Sequence, residues 1–565
     1  MRFKVIRLAY QFILILIALR LFYWQIIMSD DLTVMAEKQH LKTTQIEGPR
    51  GQILYSDGSI LASNQPVYEL YGQPKVIEEK DKVANLVAKI ISPKDSLKVA
   101  NEIKDKLAQN LYWVALYKNL SVDLKNQIEE LKIKGLGFNT NSARFYPESS
   151  ASAQLLGFIG SDDVGNKVGY FGIEGFYNKQ LRGTSGTVIQ ERDGNGLPIL
   201  SGKFFQKKPL SGYNLVLNID RAVQHMVEIK LKSSVEKFAA KSGSVVVIEP
   251  KSGNVLAMAT FPNYDPGSYQ DFPKEVYLNP IVAETYEPGS TFKVIVMSMA
   301  INDDLLKADT KCDICSGPLQ ISGHLIRTWN NKYNSDVNMT DVIVHSDNTG
   351  MVFVSRKLGL DKMYEYINNF GFGLKTNIDL QEETSSSIRP KKEWREIDLA
   401  TSSFGQGIAV TPMQMVRAVG VIASGGMLME PHIVSQIQIG GETRKIQPRI
   451  MGNPISAEAT KVITEMMVQA VDRGEAQFYK KRAGLQGYKI AGKTGTAQIP
   501  VAGYYDENKT VASFVGFAPA ADPKFVMLVK YNEPTSSIYG ADTAAPTFFE
   551  IAKELFLYYN IPPSE

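Results

Sequence analysis

An α/β (α+β) domain with a central antiparallel sheet flanked by helices, preceded by an elongated α+β pedestal and one N-terminal transmembrane helix, is the architecture the sequence predicts. Three observations carry it. A predominantly apolar run occupies residues 8–28. Two pairs of apolar, β-rich runs joined by turn residues lie far apart, at 244–260 and 511–531, with long helical stretches between them. The region between the anchor and the first pair alternates short strand-like runs with charged segments of helical spacing.

The chain has 565 residues, of which 44% are apolar, 10% aromatic and 21% charged, a composition that excludes a mainly disordered or collagen-like protein. Sixty-two basic and 59 acidic side chains leave a formal charge of +3, which gives no electrostatic footprint for nucleic acid. Five scattered histidines argue against a histidine-built metal centre.

The run 8–28 is long enough to span a bilayer as a helix. Arg2, Lys4 and Arg7 precede it and Asp30 and Asp31 follow, so the positive-inside bias keeps residues 1–7 in the cytoplasm and exports the rest. No small-residue cleavage pattern closes the run, and an uncleaved single-pass anchor in the cytoplasmic membrane is expected. Arg20 inside it either snorkels to the interface or faces a partner's membrane helix.

Residues 29–209 form the expected pedestal, or dimerisation-like, domain. Segments 76–90 and 96–111 have the apolar spacing of amphipathic helices, and 48–62 reads as a hairpin. From 210 to 565 the texture changes. Runs 244–248 and 254–260 flank a Glu-Pro-Lys-Ser-Gly turn, runs 511–517 and 524–531 form a second hairpin, and 546–556 has helical spacing.

Three short constellations follow one another. In Glu287-Pro-Gly-Ser-Thr-Phe-Lys293 the Pro-Gly turn precedes an apolar helical run, which places Ser290 at a helix amino terminus and Lys293 within reach of its hydroxyl. A serine needs a base, and a lysine kept neutral by burial or a second cation can serve. Ser346-Asp-Asn348 supplies a hydroxyl able to relay protons and an amide able to hold a peptide bond, although the same residues also favour helix caps. Lys493-Thr-Gly-Thr-Ala497 reads as an edge strand with a fixed cation, a glycine permitting close backbone approach at Gly495, and an N–H at Thr496. Each pattern is common alone. Ser234 and Lys237 repeat the first spacing in a charged stretch expected at the surface, and Lys241 and Lys251 open turn-like copies of the third.

Their order resembles the SxxK, SDN and KTG set of serine acyl-transferases. The chain is similar to the class B penicillin-binding proteins, and most to the septal (FtsI-type) peptidoglycan D,D-transpeptidases. Nearly its whole length resembles them: the Arg50–Gly58 segment (with the usual Asp-Arg pair before its glycine altered), Arg144-Phe-Tyr-Pro147, Gly157, Gly172–Gly175 with Leu181-Arg-Gly183, Phe404–Gly407 with Thr411-Pro412, and Tyr539–Pro546.

The resemblance implies a serine transpeptidase/β-lactamase-like fold in which Ser290 attacks a D-alanyl-D-alanine stem peptide. The backbone N–H groups of Ser290 and Thr496 hold the oxyanion, Lys293 is the base, and Ser346 and Lys493 relay the proton to the leaving D-alanine. Asn348 holds the stem-peptide amide, and Lys493, Thr494, Gly495 and Thr496 form the substrate strand. An amine from a neighbouring peptide completes the crosslink, and β-lactams acylate the same serine. No cofactor or metal is required. Class B proteins lack a glycosyltransferase domain, so an FtsW-like polymerase and other division proteins are the implied partners.

Two rivals have specific markers. A class A β-lactamase carries Glu-x-x-x-Asn after SDN, whereas Glu382 and Glu383 are followed at the fourth position by Ser386 and Ser387. A β-lactam sensor needs more cytoplasmic chain than residues 1–7 provide. An elongation-type transpeptidase shares all three motifs. Cys312 and Cys315 with His324 lack a fourth zinc ligand, and a loop thiol pair or local disulfide is the expected state.

Overall fold

The computed structural model describes residues 2–191, 199, 204–501 and 504–564. By backbone contacts it divides into two compact units, residues 1–51 with 182–213, and residues 52–181 with 214–565.

The first unit contains a helix, Arg2–Phe22, continued by a wider turn at Tyr23–Ile27 and a second helix at Ser29–His40. Residues 2–27 are long and apolar enough to cross a membrane. The Arg20 guanidinium lies 5.1 Å from the Trp24 ring centroid and 6.0 Å from that of Tyr23, one turn on. Strand Leu41–Ile46 pairs antiparallel with Gly186–Glu191, which pairs with Phe204–Lys207.

The second unit is built on a five-stranded antiparallel sheet. Its strands are β1 (Ser242–Ile248), β2 (Val255–Phe261), β3 (Ala491–Val501), β4 (Tyr504–Ala518) and β5 (Phe525–Asn532), in the order β2-β1-β5-β4-β3. Both hairpins expected from the sequence are present, and chain-distant segments meet where β1 pairs with β5. Alternation of side chains sends Val246 and Ile248 to one core and Val245 and Val247 to another. On the first face pack helices α1 (Lys293–Asn302), α2 (Pro412–Ala423) and α3 (Ala457–Arg473); on the second lie Arg221–Lys237 and Ala544–Tyr558. The helix α1 is buried along nearly its whole length, which explains why its sequence is apolar on every face.

Ser234 differs from its expected surface position. It is buried on helix Arg221–Lys237, where its Oγ accepts from Thr547 Oγ1 at 3.0 Å, so this Ser-x-x-Lys copy fastens two helices together. In the third motif's copies, Ser242 and Gly243 lie in β1 while Gly253 closes the turn at φ +80°.

The pedestal part has its own core between helices Lys80–Ile91 and Ser96–Leu107 and the strands Ile60–Gly72, Val114–Leu120 and Leu136–Phe145. Ile53 and Leu54 pair with Ala62 and Ile60, giving the expected hairpin. They also pair, in parallel, with Leu215 and Val216. One seven-stranded sheet therefore runs from Glu442–Lys445 through Val434–Ile439, Asn214–Leu217 and Ile53–Leu54 to the pedestal strands. The pedestal motifs meet each other: Arg144 Nε donates to Glu174 Oε1 at 2.6 Å, with both side chains buried. Cys312 and Cys315 form a disulfide, both buried.

Candidate active site

Ser290 sits in a single 3-10 turn, Gly289–Phe292, that runs directly into α1, whose first residue is Lys293. The helix-start placement expected for the serine is thus one tight turn ahead of the α-helix proper. Gly289 has φ +54°, and a Cβ there would lie 2.9 Å from the Thr496 carbonyl oxygen, so only glycine lets this turn reach β3. Its N–H donates to Gly405 O at 3.1 Å, which ties the Phe404–Gly407 segment to the serine turn. Glu287 Oε1 accepts from Gly407 N–H at 3.0 Å on the same seam.

Lys293 is fully buried. Its Nζ donates to the Ser346 carbonyl at 2.6 Å, to Ser346 Oγ at 3.2 Å and to Asn348 Oδ1 at 2.7 Å. Burial, reinforced by the Lys493 ammonium, holds its amine well below the ordinary lysine value. The hydroxyl in contact with this amine is that of Ser346, so a proton can pass between the two.

Ser346 occupies the turn between helices Met339–Val344 and Asn348–Asn369 with φ +56°, a left-handed conformation uncommon for serine. Asp347 caps the second helix, accepting from Thr349 N–H at 2.7 Å and Gly350 N–H at 3.1 Å. The capping and functional readings of this tripeptide therefore coexist on adjacent residues. Asn348 Nδ2 donates to Arg327 O at 2.8 Å, so both ends of the amide are anchored and each retains one further hydrogen-bonding position.

β3 lies at one edge of the sheet. Lys493 is buried there, its Nζ donating to Thr494 Oγ1 at 3.2 Å and Thr494 O at 3.3 Å. Burial lowers its amine to about 8, with Glu475 opposing the change. Thr496 Oγ1 accepts from Gly540 N–H at 3.0 Å, which joins the Tyr539 segment to the strand. Gly495 has a reason that differs from the expected one. A Cβ there would meet Ser513 Oγ at 2.5 Å and Thr291 Cγ2 at 2.7 Å, so the glycine answers to packing behind the strand.

A cleft of 270 Å³ is lined by Ser290, Ser346, Asn348, Thr494 and Thr496. Residues from three chain-distant motifs thus share one concavity, with Lys293 and Lys493 buried beneath it. Sequence reading missed Trp329 and Glu475, which also line it; neither belongs to a recognisable pattern. The Trp329 ring lies edge-on to Tyr539 at 5.8 Å. Glu382 and Glu383 lie elsewhere: Glu382 Oε2 accepts from Gly172 N–H at 2.8 Å, and Glu383 Oε1 accepts from Thr376 N–H and Oγ1, both at 2.5 Å. Among the described residues, no group of His, Cys, Asp and Glu fit to hold a metal ion is found.

Residues 243–553 match the family model described as penicillin binding protein transpeptidase domain, and residues 45–217 match that of the penicillin-binding protein dimerisation domain. Stage V sporulation protein D of Bacillus subtilis is 32% identical over 559 residues, covering 98% of this chain and 84% of that protein. Peptidoglycan D,D-transpeptidase FtsI of Escherichia coli is 29% identical over 553 residues, with 96% and 89% covered. Among solved structures, penicillin binding protein 2X from Streptococcus thermophilus superposes with a TM-score of 0.74 at 24% identity, covering 91% of this chain and 80% of that one. A peptidoglycan synthetase from Bifidobacterium adolescentis gives 0.72 at 26% identity, covering 93% and 98%.

Proposed function

The chain belongs to the penicillin-binding protein transpeptidase family and is a serine-type peptidoglycan D,D-transpeptidase, and from that premise we propose that Ser290 forms the acyl-enzyme with a D-alanyl-D-alanine stem peptide. The supporting observation is the convergence of Ser290, Ser346, Asn348, Thr494 and Thr496 on one cleft above a buried Lys293 that touches Ser346.

In this reading the neutral Lys293 amine takes the Ser290 proton. The oxyanion forms between the N–H groups of Ser290 and Thr496, preorganised donors typically worth about 3–4 kcal/mol of barrier each. Asn348 aligns the donor peptide amide, while Lys493, Thr494 and Thr496 hold the terminal carboxylate. Ser346 and Lys493 pass the proton to the departing D-alanine. β-Lactams acylate the same hydroxyl.

Residues 1–7 lie in the cytoplasm, 8–28 anchor the protein, 29–209 serve as pedestal and 210–565 work outside the membrane. The acidic side chains after the apolar helix and the basic ones before it support that orientation. The FtsI-named relative supports service in the division septum beside an FtsW-like polymerase. The Bacillus relative named for a sporulation stage favours a second reading, the same chemistry in sporulation.

Fluorescent penicillin tests the chemistry. Lasting label on the solubilised protein that disappears in Ser290→Ala supports the acyl-enzyme; rapid release points instead to a β-lactamase. Crosslinked product from lipid-linked glycan and a polymerase separates an enzyme from a sensor. Depletion during vegetative growth and during sporulation, with septa scored in each, separates the two cellular roles.

A further inference from the structure

Resting on this acyl-transfer reading, we propose that Glu475 receives the cationic amine of the acceptor peptide, which reaches the acyl-enzyme from a second cavity adjoining the reaction cleft. That cavity has a volume of 640 Å³ and is bordered by Trp329 and Glu475, the two residues it shares with the cleft around Ser290. Donor and acceptor must occupy separate spaces that meet at the reacting carbon, and these two residues stand at the junction.

Glu475 is exposed and is the one acidic side chain lining the cleft among the described residues. Its backbone is held firmly. It follows α3 on a turn whose Gly474 packs so closely that a Cβ would lie 2.3 Å from the Ala470 carbonyl oxygen and 2.9 Å from that of Val344. Arg473 Nη2 donates to Asp341 Oδ1 at 2.9 Å, pinning the same turn to the helix that leads into Ser346. The backbone that carries Glu475 is therefore held against the helix that leads into Ser346.

The charge balance calls for such a residue. An aliphatic amine arrives in water as an ammonium, and the Lys493 ammonium beneath the cleft repels it. The Glu475 charge acts on both Lys293 and Lys493, opposing the downward shift of each. Trp329, which lines both cavities, brings an aromatic ring able to attract the same cation. In the transfer the ammonium first gives up one proton to solvent water and becomes a nucleophile. The amine nitrogen then bonds to the acyl carbon, the bond from that carbon to Ser290 Oγ breaks, and the second amine proton passes through the Lys293–Ser346 pair to Oγ. The products are an amide crosslink and free serine.

The test uses the full-length, detergent-solubilised protein acylated by a thioester analogue of the donor, with rates counted per acylated enzyme so that only folded active sites contribute. Aminolysis is compared with hydrolysis across concentrations of Nα-acetyl-lysinamide, a primary ammonium, and of hydroxylamine, which is uncharged at neutral pH. For Glu475→Gln the lysinamide concentration giving equal aminolysis and hydrolysis should rise about tenfold, equivalent to about 1.4 kcal/mol of lost attraction. The hydroxylamine partition should stay as in the wild type, and Glu475→Asp should recover part of the loss.

Unchanged partition with lysinamide, or an equal loss with both nucleophiles, overturns the proposal. A fall in hydrolysis alone also overturns it, because Glu475 would then be activating water. So does a wild type that acylates but transfers to neither nucleophile. A wild type that never acylates defeats the underlying acyl-transfer reading, an outcome distinguishable from the others at the first step.

Discussion

The buried Nζ of Lys293 donates to Asn348 Oδ1 at 2.7 Å, linking the residue three positions after Ser290 to the last residue of the Ser-Asp-Asn turn. This bond settles the geometry of both groups: it fixes the lysine rotamer beneath the serine turn and orients the amide whose nitrogen is held by Arg327 O.

Asn348→Ala should therefore harm more than peptide binding. Lys293 loses one of three acceptors and its position relative to the serine. The second-order rate of acylation by a fluorescent penicillin should fall about 10²-fold, the scale of a misplaced general base. Asn348→Asp should instead raise the Lys293 amine's proton affinity and displace the acid limb of the acylation profile to higher pH. Stopped-flow labelling across pH measures both.

The pH profile of acylation in the wild type should be bell-shaped. The acid limb reports deprotonation of the lowered Lys293 amine, and the alkaline limb reports loss of the Lys493 charge at about 8. The two lysines interact, so the limbs describe the pair. Lys493→Arg should carry the alkaline limb upward, since a guanidinium keeps its proton. A profile whose alkaline limb is unmoved in that variant excludes Lys493 from the role.

Lys530 offers a comparison away from the cleft. It is buried on β5 with its Nζ 5.2 Å from the Tyr286 ring centroid, and burial lowers it to about 8. Its charged form is disfavoured in the fold, so the cost is full below pH 8. That cost fades as pH rises from about 8 toward the ordinary lysine value near 10.4, the range in which only the unfolded chain keeps the proton. Lys530→Met should raise the melting temperature at pH 7 and lose that advantage by pH 10. Calorimetry at the two pH values decides it.

Arg144 and Glu174 test the pedestal. Removing Glu174 takes from buried Arg144 its short charged partner, and Glu174→Ala should cost about 3–5 kcal/mol. The double replacement Arg144→Met with Glu174→Met should recover most of that loss. Urea unfolding of the full chain, followed by intrinsic fluorescence, reads both; equal destabilisation by the single and double variants would contradict the assignment.

What the sequence made legible was what depends on short-range pattern. Hairpins at 244–260 and 511–531, the amphipathic helices of the pedestal and the apolar N-terminal helix each follow from local spacing, and the structure has them within a few residues. The three motifs were visible because each sits within a few consecutive residues. Trp329 and Glu475 were not, because their place in the cleft comes from loops whose course is set by packing against Tyr539 and Val344. Ser234 was misplaced for a related reason: the helix Arg221–Lys237 looks polar in sequence, but a hydroxyl contact with Thr547, more than three hundred positions away, buries that one side. Gly495 was read toward a ligand because a strand's periodicity does not reveal which neighbour lies behind it.

The seven-stranded ladder, in which Ile53 and Leu54 are flanked by Asn214–Leu217 on one side and Ile60–Gly72 on the other, has an engineering consequence. Chimaeras that splice a foreign pedestal onto this catalytic half would sever hydrogen bonds in the interior of a sheet, leaving two raw edges. Compatible swaps must carry residues 53–72 and 214–217 together and keep the pairing of 214–217 with Val434–Ile439, so no single linker is a natural seam for grafting.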